Sequence, residues 1–162
     1  MSFDLVIFDC DGVLVDSERL TVVVEARMLT ELEAHLGPEK TRWFDEHCTS
    51  GSHEKMRTTL GLTGLFADFE GRIFSANEVE HGKPAPDPFL LAAASMGVDP
   101  TRTAVIEDSV YGVRAAVAAG MAADGFAGGL TPAESLADAG AIVFDQMTEV
   151  IGLLDHSSVS IA

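Results

Sequence analysis

The sequence is poor in cysteine, lysine and long apolar runs. Two cysteines in 162 residues, Cys10 and Cys48, make no disulfide framework. No Cys/His group has zinc-ligand spacing, so both thiols read as small, semi-buried apolar residues. No apolar run is long enough to span a bilayer, and Met1-Ser2-Phe3-Asp4 lacks the basic start of a signal peptide. These features predict a soluble, cytoplasmic protein without membrane association. Cationic side chains are also scarce: ten Lys and Arg face 26 Asp and Glu, a formal net charge of −16. Such a field repels nucleic acid. It fits a solvated acidic surface, and also a few carboxylates gathered around a divalent cation.

What is present suits a compact α/β protein. Hydrophobic residues make up 47% of the chain, enough for a core in one domain spanning 1–162. Phe3 to Phe8 reads as a strand that becomes fully buried and ends in an acidic turn. Leu20, Val24, Met28, Leu32 and Leu36 predict a helix over 18–36, stopped at Gly37-Pro38. A second helix is expected from His53 to about Leu60, and a short strand at Ile73-Phe74-Ser75. Asp87-Pro88 predicts a helix with Asp87 as N-cap, closing at Gly97. Thr103 to Ile106 predicts a strand, Ser109 to Ala119 a helix closed by Gly120, and Met121 to Phe126 a weak strand. Thr131-Pro132-Ala133-Glu134 reads as a capping box opening a helix that ends near Gly140. Ala141 to Phe144 predicts a last strand and Met147 to Leu154 a last helix. This alternation from residue 72 onward argues a doubly wound parallel sheet with helices on both faces. Ligands in such sheets bind outside the carboxyl ends of the strands.

Two acidic turns fall there. Asp9-Cys10-Asp11-Gly12 follows the first strand. Two carboxylates leaving a buried strand need a partner, and magnesium, which prefers oxygen ligands, supplies one. One carboxylate could attack phosphorus and the other could move protons; Gly12 lets the chain turn beside the ligand. Glu107-Asp108 follows the Thr103 strand and could complete a metal site, though such a pair also suits a helix start. Thr49-Ser50-Gly51-Ser52 could cradle phosphate at a helix N-terminus, but alone reads as an ordinary N-cap. Lys83, one of three lysines, lies in the proline-flanked loop 81–87, where an ammonium could offset phosphate charge; without context it reads as a solvated lysine. The five histidines have no usable spacing.

In order, Asp9-x-Asp11-Gly12-Val13-Leu14-Val15-Asp16-Ser17, Thr49-Ser50-Gly51-Ser52, Gly82-Lys83-Pro84-Ala85-Pro86-Asp87 and Ile106-Glu107-Asp108-Ser109 resemble the four motifs of the haloacid dehalogenase superfamily, in its β-phosphoglucomutase/phosphoglycolate phosphatase branch. The resemblance covers residues 1 to about 20 and about 48 to 154. It implies a magnesium-dependent phosphatase acting on small phosphorylated metabolites. Asp9 would be nucleophile and metal ligand. Asp11 would be the general acid/base and give its backbone carbonyl to the metal. Thr49 with Ser50 and Gly51 would hold phosphoryl oxygens, and Lys83 would bridge phosphoryl charge and Asp9. Asp108 would be a metal ligand, and Glu107 a direct or water-mediated one. The resemblance also implies a cis Lys83–Pro84 peptide.

The chain departs from this pattern between the first two motifs. The branch carries a helical cap there, and residues 18–47 read as a shortened remnant of it, several dozen residues short. Trp43-Phe44-Asp45-Glu46-His47-Cys48 also makes a poor buried strand before the second motif. A missing cap predicts loose specificity and open access of water, favouring hydrolysis over transfer back to a sugar; the alternatives are a phosphomutase, or a remnant whose catalysis the missing cap impairs. It also predicts an exposed apolar patch near Trp43 and Phe44, through which a homodimer would form. A metal-free dehalogenase is disfavoured by Asp11 and the Glu107-Asp108 pair.

Overall fold

The computed structural model describes residues 3–14 and 53–156. The expected helix over 18–36 and the cap remnant over 18–47, the apolar patch at Trp43 and Phe44, and the Thr49-Ser50-Gly51 cradle lie outside those residues.

Four strands form one parallel sheet in the order β1 (Leu5–Phe8), β2 (Thr103–Glu107), β3 (Ala122–Phe126) and β4 (Ile142–Phe144). The register runs Leu5 to Thr103, Ile106 to Asp124 and Asp124 to Ile142. Helices α1 (His53–Thr63) and α2 (Phe66–Phe69) precede α3 (Asp87–Met96). Helices α4 (Val110–Ala118), α5 (Ala133–Asp138) and α6 (Val150–His156) follow β2, β3 and β4 in turn. Side chains alternate across a strand, so the sheet has two apolar faces. On one, Val105 and Ala123 pack with Phe89, Ala93, Val113, Ala116 and Leu136 from α3, α4 and α5. On the other, Ile106 and Phe144 pack with Val13 and Val150, flanked by Leu153 and Leu154 of α6. Every residue of β2 is buried, as a central strand covered on both faces requires.

Four local expectations are corrected. β1 is only partly buried along its whole length, because among the described residues it is an edge strand. Ile73 to Ser75 is not a strand. Ser75 instead caps a 3₁₀ turn over Ala76–Glu78, accepting from Asn77 N while Glu78 reaches back to Ser75 N–H. Asp87 is the first residue of α3, not its cap; Pro86 holds that place, and the Asp87 carboxylate lies 3.3 Å from His81 Nδ1. Thr131 and Glu134 make no capping box; the residue before α5 is Pro132, which has no side-chain acceptor. The helix stops are as expected, with Gly97 at φ 69° and Gly120 at φ 73°.

Candidate functional site

The carboxyl ends of β1 and β2 bring the two acidic turns together. Asp9 leaves β1 with its N–H bonded to the Ile106 carbonyl at 2.9 Å. Glu107 is the last residue of β2 and Asp108 the next. Oxygens from Asp9, Glu107 and Asp108 all lie within 4.8 Å of one another. Glu107 is fully buried and Asp108 is 6% exposed, whereas the Asp9 side chain keeps 24% of its surface. It is therefore the acid of the cluster that a solute can reach most directly.

Lys83 sits between two of these acids. Its ammonium donates to Asp9 Oδ1 at 2.6 Å and to Glu107 Oε1, and lies 5.1 Å from the centre of the Phe89 ring, within cation–π range. The Lys83–Pro84 peptide is cis, as the motif resemblance implies. Burial pulls the lysine pKa down, but the Asp9 and Glu107 charges more than offset this and hold it above the ordinary lysine value. Burial pushes the Asp9 carboxyl up to about 6; Lys83 opposes that rise, while Glu107 and Asp11 add to it.

Glycine is required where backbone meets carboxylate. Gly12 has φ 82°, a conformation other residues adopt only with strain, and a Cβ on it would overlap the Asp108 carboxylate. A Cβ on Gly112, in the first turn of α4, would overlap the Glu107 carboxylate. The Ser109 amide and hydroxyl both donate to Glu107 Oε2, at 3.0 and 2.8 Å, and the same hydroxyl accepts from Gly112 N at 3.0 Å. Sequence reasoning missed this clamp. Its signal was a serine at an N-cap with glycine three residues on, immediately after Glu107-Asp108. It also missed Phe89 as the wall behind Lys83.

Three carboxylates against one ammonium leave an excess of two negative charges. An all-oxygen donor set of that charge fits a hard divalent cation such as magnesium. Asp11 stands outside the three-acid cluster but lines, with Asp9, Gly82 and Lys83, a cavity of about 550 Å3. The rest of that cavity is mostly apolar, running along β1 past Leu60 and Phe89, with Arg72 also on its wall. Of the site residues expected from sequence, Asp9, Lys83, Glu107 and Asp108 are thus in contact range and Asp11 is beside them.

Residues 47–120 match the profile of haloacid dehalogenase-like hydrolases. A conserved haloacid dehalogenase-like protein of unknown function from Agrobacterium tumefaciens superposes with a TM-score of 0.78 at 31% identity, over 97% of this chain and 100% of that one. The chain belongs to the haloacid dehalogenase-like family. Among curated relatives, the fructose-1-phosphate phosphatase YqaB of Escherichia coli is 47% identical over 68 residues, 42% of this chain and 34% of that protein. The CBBY-like protein of Arabidopsis thaliana is 43% identical over 139 residues, 80% of this chain and 42% of that protein. The haloacid dehalogenase-like chain thus spans less than half the length of these two relatives. Among its described residues no helix is long and apolar enough to cross a membrane.

Proposed function

We propose that this protein hydrolyses small phosphate monoesters through a phosphoryl group carried briefly on Asp9. The observation that carries the reading is the Lys83 ammonium held 2.6 Å from Asp9 Oδ1 beside two further carboxylates. It is supported by the name of the E. coli relative, a fructose-1-phosphate phosphatase. Asp9 and Asp108, with the backbone carbonyl of Asp11, would hold magnesium, and Glu107 would stand close by. When bound, the ion would neutralise charge on phosphoryl oxygens and on the acids.

The residues divide the work. An Asp9 oxygen attacks phosphorus as the ester oxygen leaves on the opposite side. Asp11 gives that leaving oxygen a proton, then takes one from the water that attacks the phosphoaspartate and releases phosphate. Lys83 keeps a positive charge beside the transferring group, where charge stabilisation and positioning supply most of the rate. Thr49, Ser50 and Gly51 would hold the remaining phosphoryl oxygens.

The test is turnover of p-nitrophenyl phosphate with and without magnesium, beside a panel of sugar phosphates and phosphoglycolate. Magnesium-dependent, broad hydrolysis is expected, and Asp9→Asn should retain less than a few per cent of it while staying folded. Turnover by Asp9→Asn close to the parent's would sink the assignment. Efficient interconversion of glucose phosphates would replace hydrolase by mutase.

A further inference from the structure

We propose that Ser109 is a positioning residue for the nucleophile: its hydroxyl, held by the first turn of α4, fixes Glu107 and through it the Lys83–Asp9 pair. The kinetic part of this inference rests on the phosphatase reading above.

The Ser109 hydroxyl works in two directions. It accepts from Gly112 N at 3.0 Å and donates to Glu107 Oε2 at 2.8 Å. The accepted bond is ordinary helix capping. The donated bond is not needed for a cap, and it falls on a carboxylate with no exposed surface. Glu107 Oε2 receives a second bond from the Ser109 amide, while Oε1 is taken by Lys83. The carboxylate is therefore gripped from both sides, by a helix start and by an ammonium.

Gly112 closes the remaining escape. A Cβ there would overlap the Glu107 carboxyl carbon and both of its oxygens, so the helix turn lies directly against the group. Glu107 cannot move toward α4, and cannot rotate away without giving up the serine hydroxyl. Held in this way, it fixes where Lys83 meets Asp9. With the hydroxyl removed, Oε2 keeps only the amide bond, the carboxylate gains rotational freedom, and the lysine moves with it. Loss of such a supporting contact lowers metal affinity or activity roughly 10–100-fold, and a shift of about 1 Å at reacting groups can cost ~100-fold.

Capping and clamping are separable by substitution. Glycine caps a helix nearly as well as serine, so Ser109→Gly deletes the donated bond and leaves α4 almost intact. Ser109→Thr restores a hydroxyl. The experiment measures kcat and KM for p-nitrophenyl phosphate, the melting temperature, and calorimetric affinity for magnesium alone, in the full chain and both variants. Ser109→Gly should lower kcat about 10–100-fold with a measurable but modest fall in melting temperature, and weaken magnesium binding about tenfold. Ser109→Thr should recover most of both. Parent-like kcat and magnesium affinity in Ser109→Gly, or Ser109→Thr performing no better than Ser109→Gly, would overturn the proposal. A second arm needs no turnover: the shifts in melting temperature of Ser109→Gly and Lys83→Met should fail to add in the double variant, because both act on one carboxylate. Additive shifts would overturn it. A parent chain without phosphatase activity would defeat the functional reading, while calorimetry and the double variant still decide the role of Ser109.

Discussion

At the scale of single residues, the molecule places charge where burial opposes it, and each case has a measurable consequence. Lys83 compensates two acids, one of them fully buried. Lys83→Met should therefore destabilise the fold, on the order of 3 kcal/mol, because it strands the Glu107 charge, and should lower kcat/KM at least ~100-fold. Adding Glu107→Gln should restore most of the stability but little of the rate. Urea melts and p-nitrophenyl phosphate kinetics check this, and a stable, inactive single variant would contradict the stability half. Among the described residues, Asp124 has no such compensation. It lies on β3, on the sheet face that also holds Ile106 and Phe144, and is 5% exposed. Burial alone raises its pKa to about 6. The folded state thus binds this proton more tightly than the unfolded chain does, whose Asp titrates near 3.9. The stability contributed by the protonated form is complete below about pH 4 and is lost as pH rises through 6. Asp124→Asn should melt at nearly the parent temperature at pH 4. At pH 8 it should be more stable by about 2–3 kcal/mol, since each pKa unit is worth about 1.4 kcal/mol. Equal stabilities at pH 8 would remove the argument.

At the scale of elements, the turns that end strands do more for the site than the strands themselves. Gly12 allows the turn after β1 to pass against Asp108. Gly12→Ala combines a left-handed backbone at φ 82° with overlap of that carboxylate. It should cost about 1–3 kcal/mol and weaken magnesium binding, measured by calorimetry; unchanged affinity would show that the close approach is incidental. Those turns were readable from sequence because their chemistry is local: acid pairs after apolar runs, glycine beside them, and helix stops at Gly97 and Gly120. What was not readable is decided by partners distant in the chain. Asp87 reads as a cap by its type and the proline after it, yet Pro86 already turns the chain, leaving Asp87 inside the helix. Ile73-Phe74-Ser75 has strand composition, but no described strand runs beside it to pair with, and Ser75 serves a 3₁₀ turn instead. The Ser109 clamp is short in sequence, but its meaning depends on Glu107 facing Lys83 across 24 residues.

At the scale of the whole molecule, sheet order brings the two acidic turns together, because β1 pairs with β2. Sequence foresaw parallel strands and the convergence of Asp9 with Glu107 and Asp108. It could not foresee that β1, which carries Asp9, is an edge strand among the described residues, because pairing order is set by tertiary packing. The described fold also carries a cluster of like charge that a cation should relieve. Magnesium at about 100 times its dissociation constant should add about 2.7 kcal/mol of stability, raising the melting temperature by several degrees, and Asp108→Asn should abolish the rise. No rise in the parent would argue against a metal site. The central claim is that phosphorus passes through Asp9, and it can be tested on the intermediate itself. The protein is mixed with p-nitrophenyl phosphate and magnesium, quenched in acid within a turnover, digested, and analysed by mass spectrometry. The account predicts one phosphoryl group on the peptide that contains Asp9, absent when Asp9→Asn is treated in the same way. Turnover with no such adduct under conditions that trap acyl phosphates, or an adduct on another residue, would contradict it.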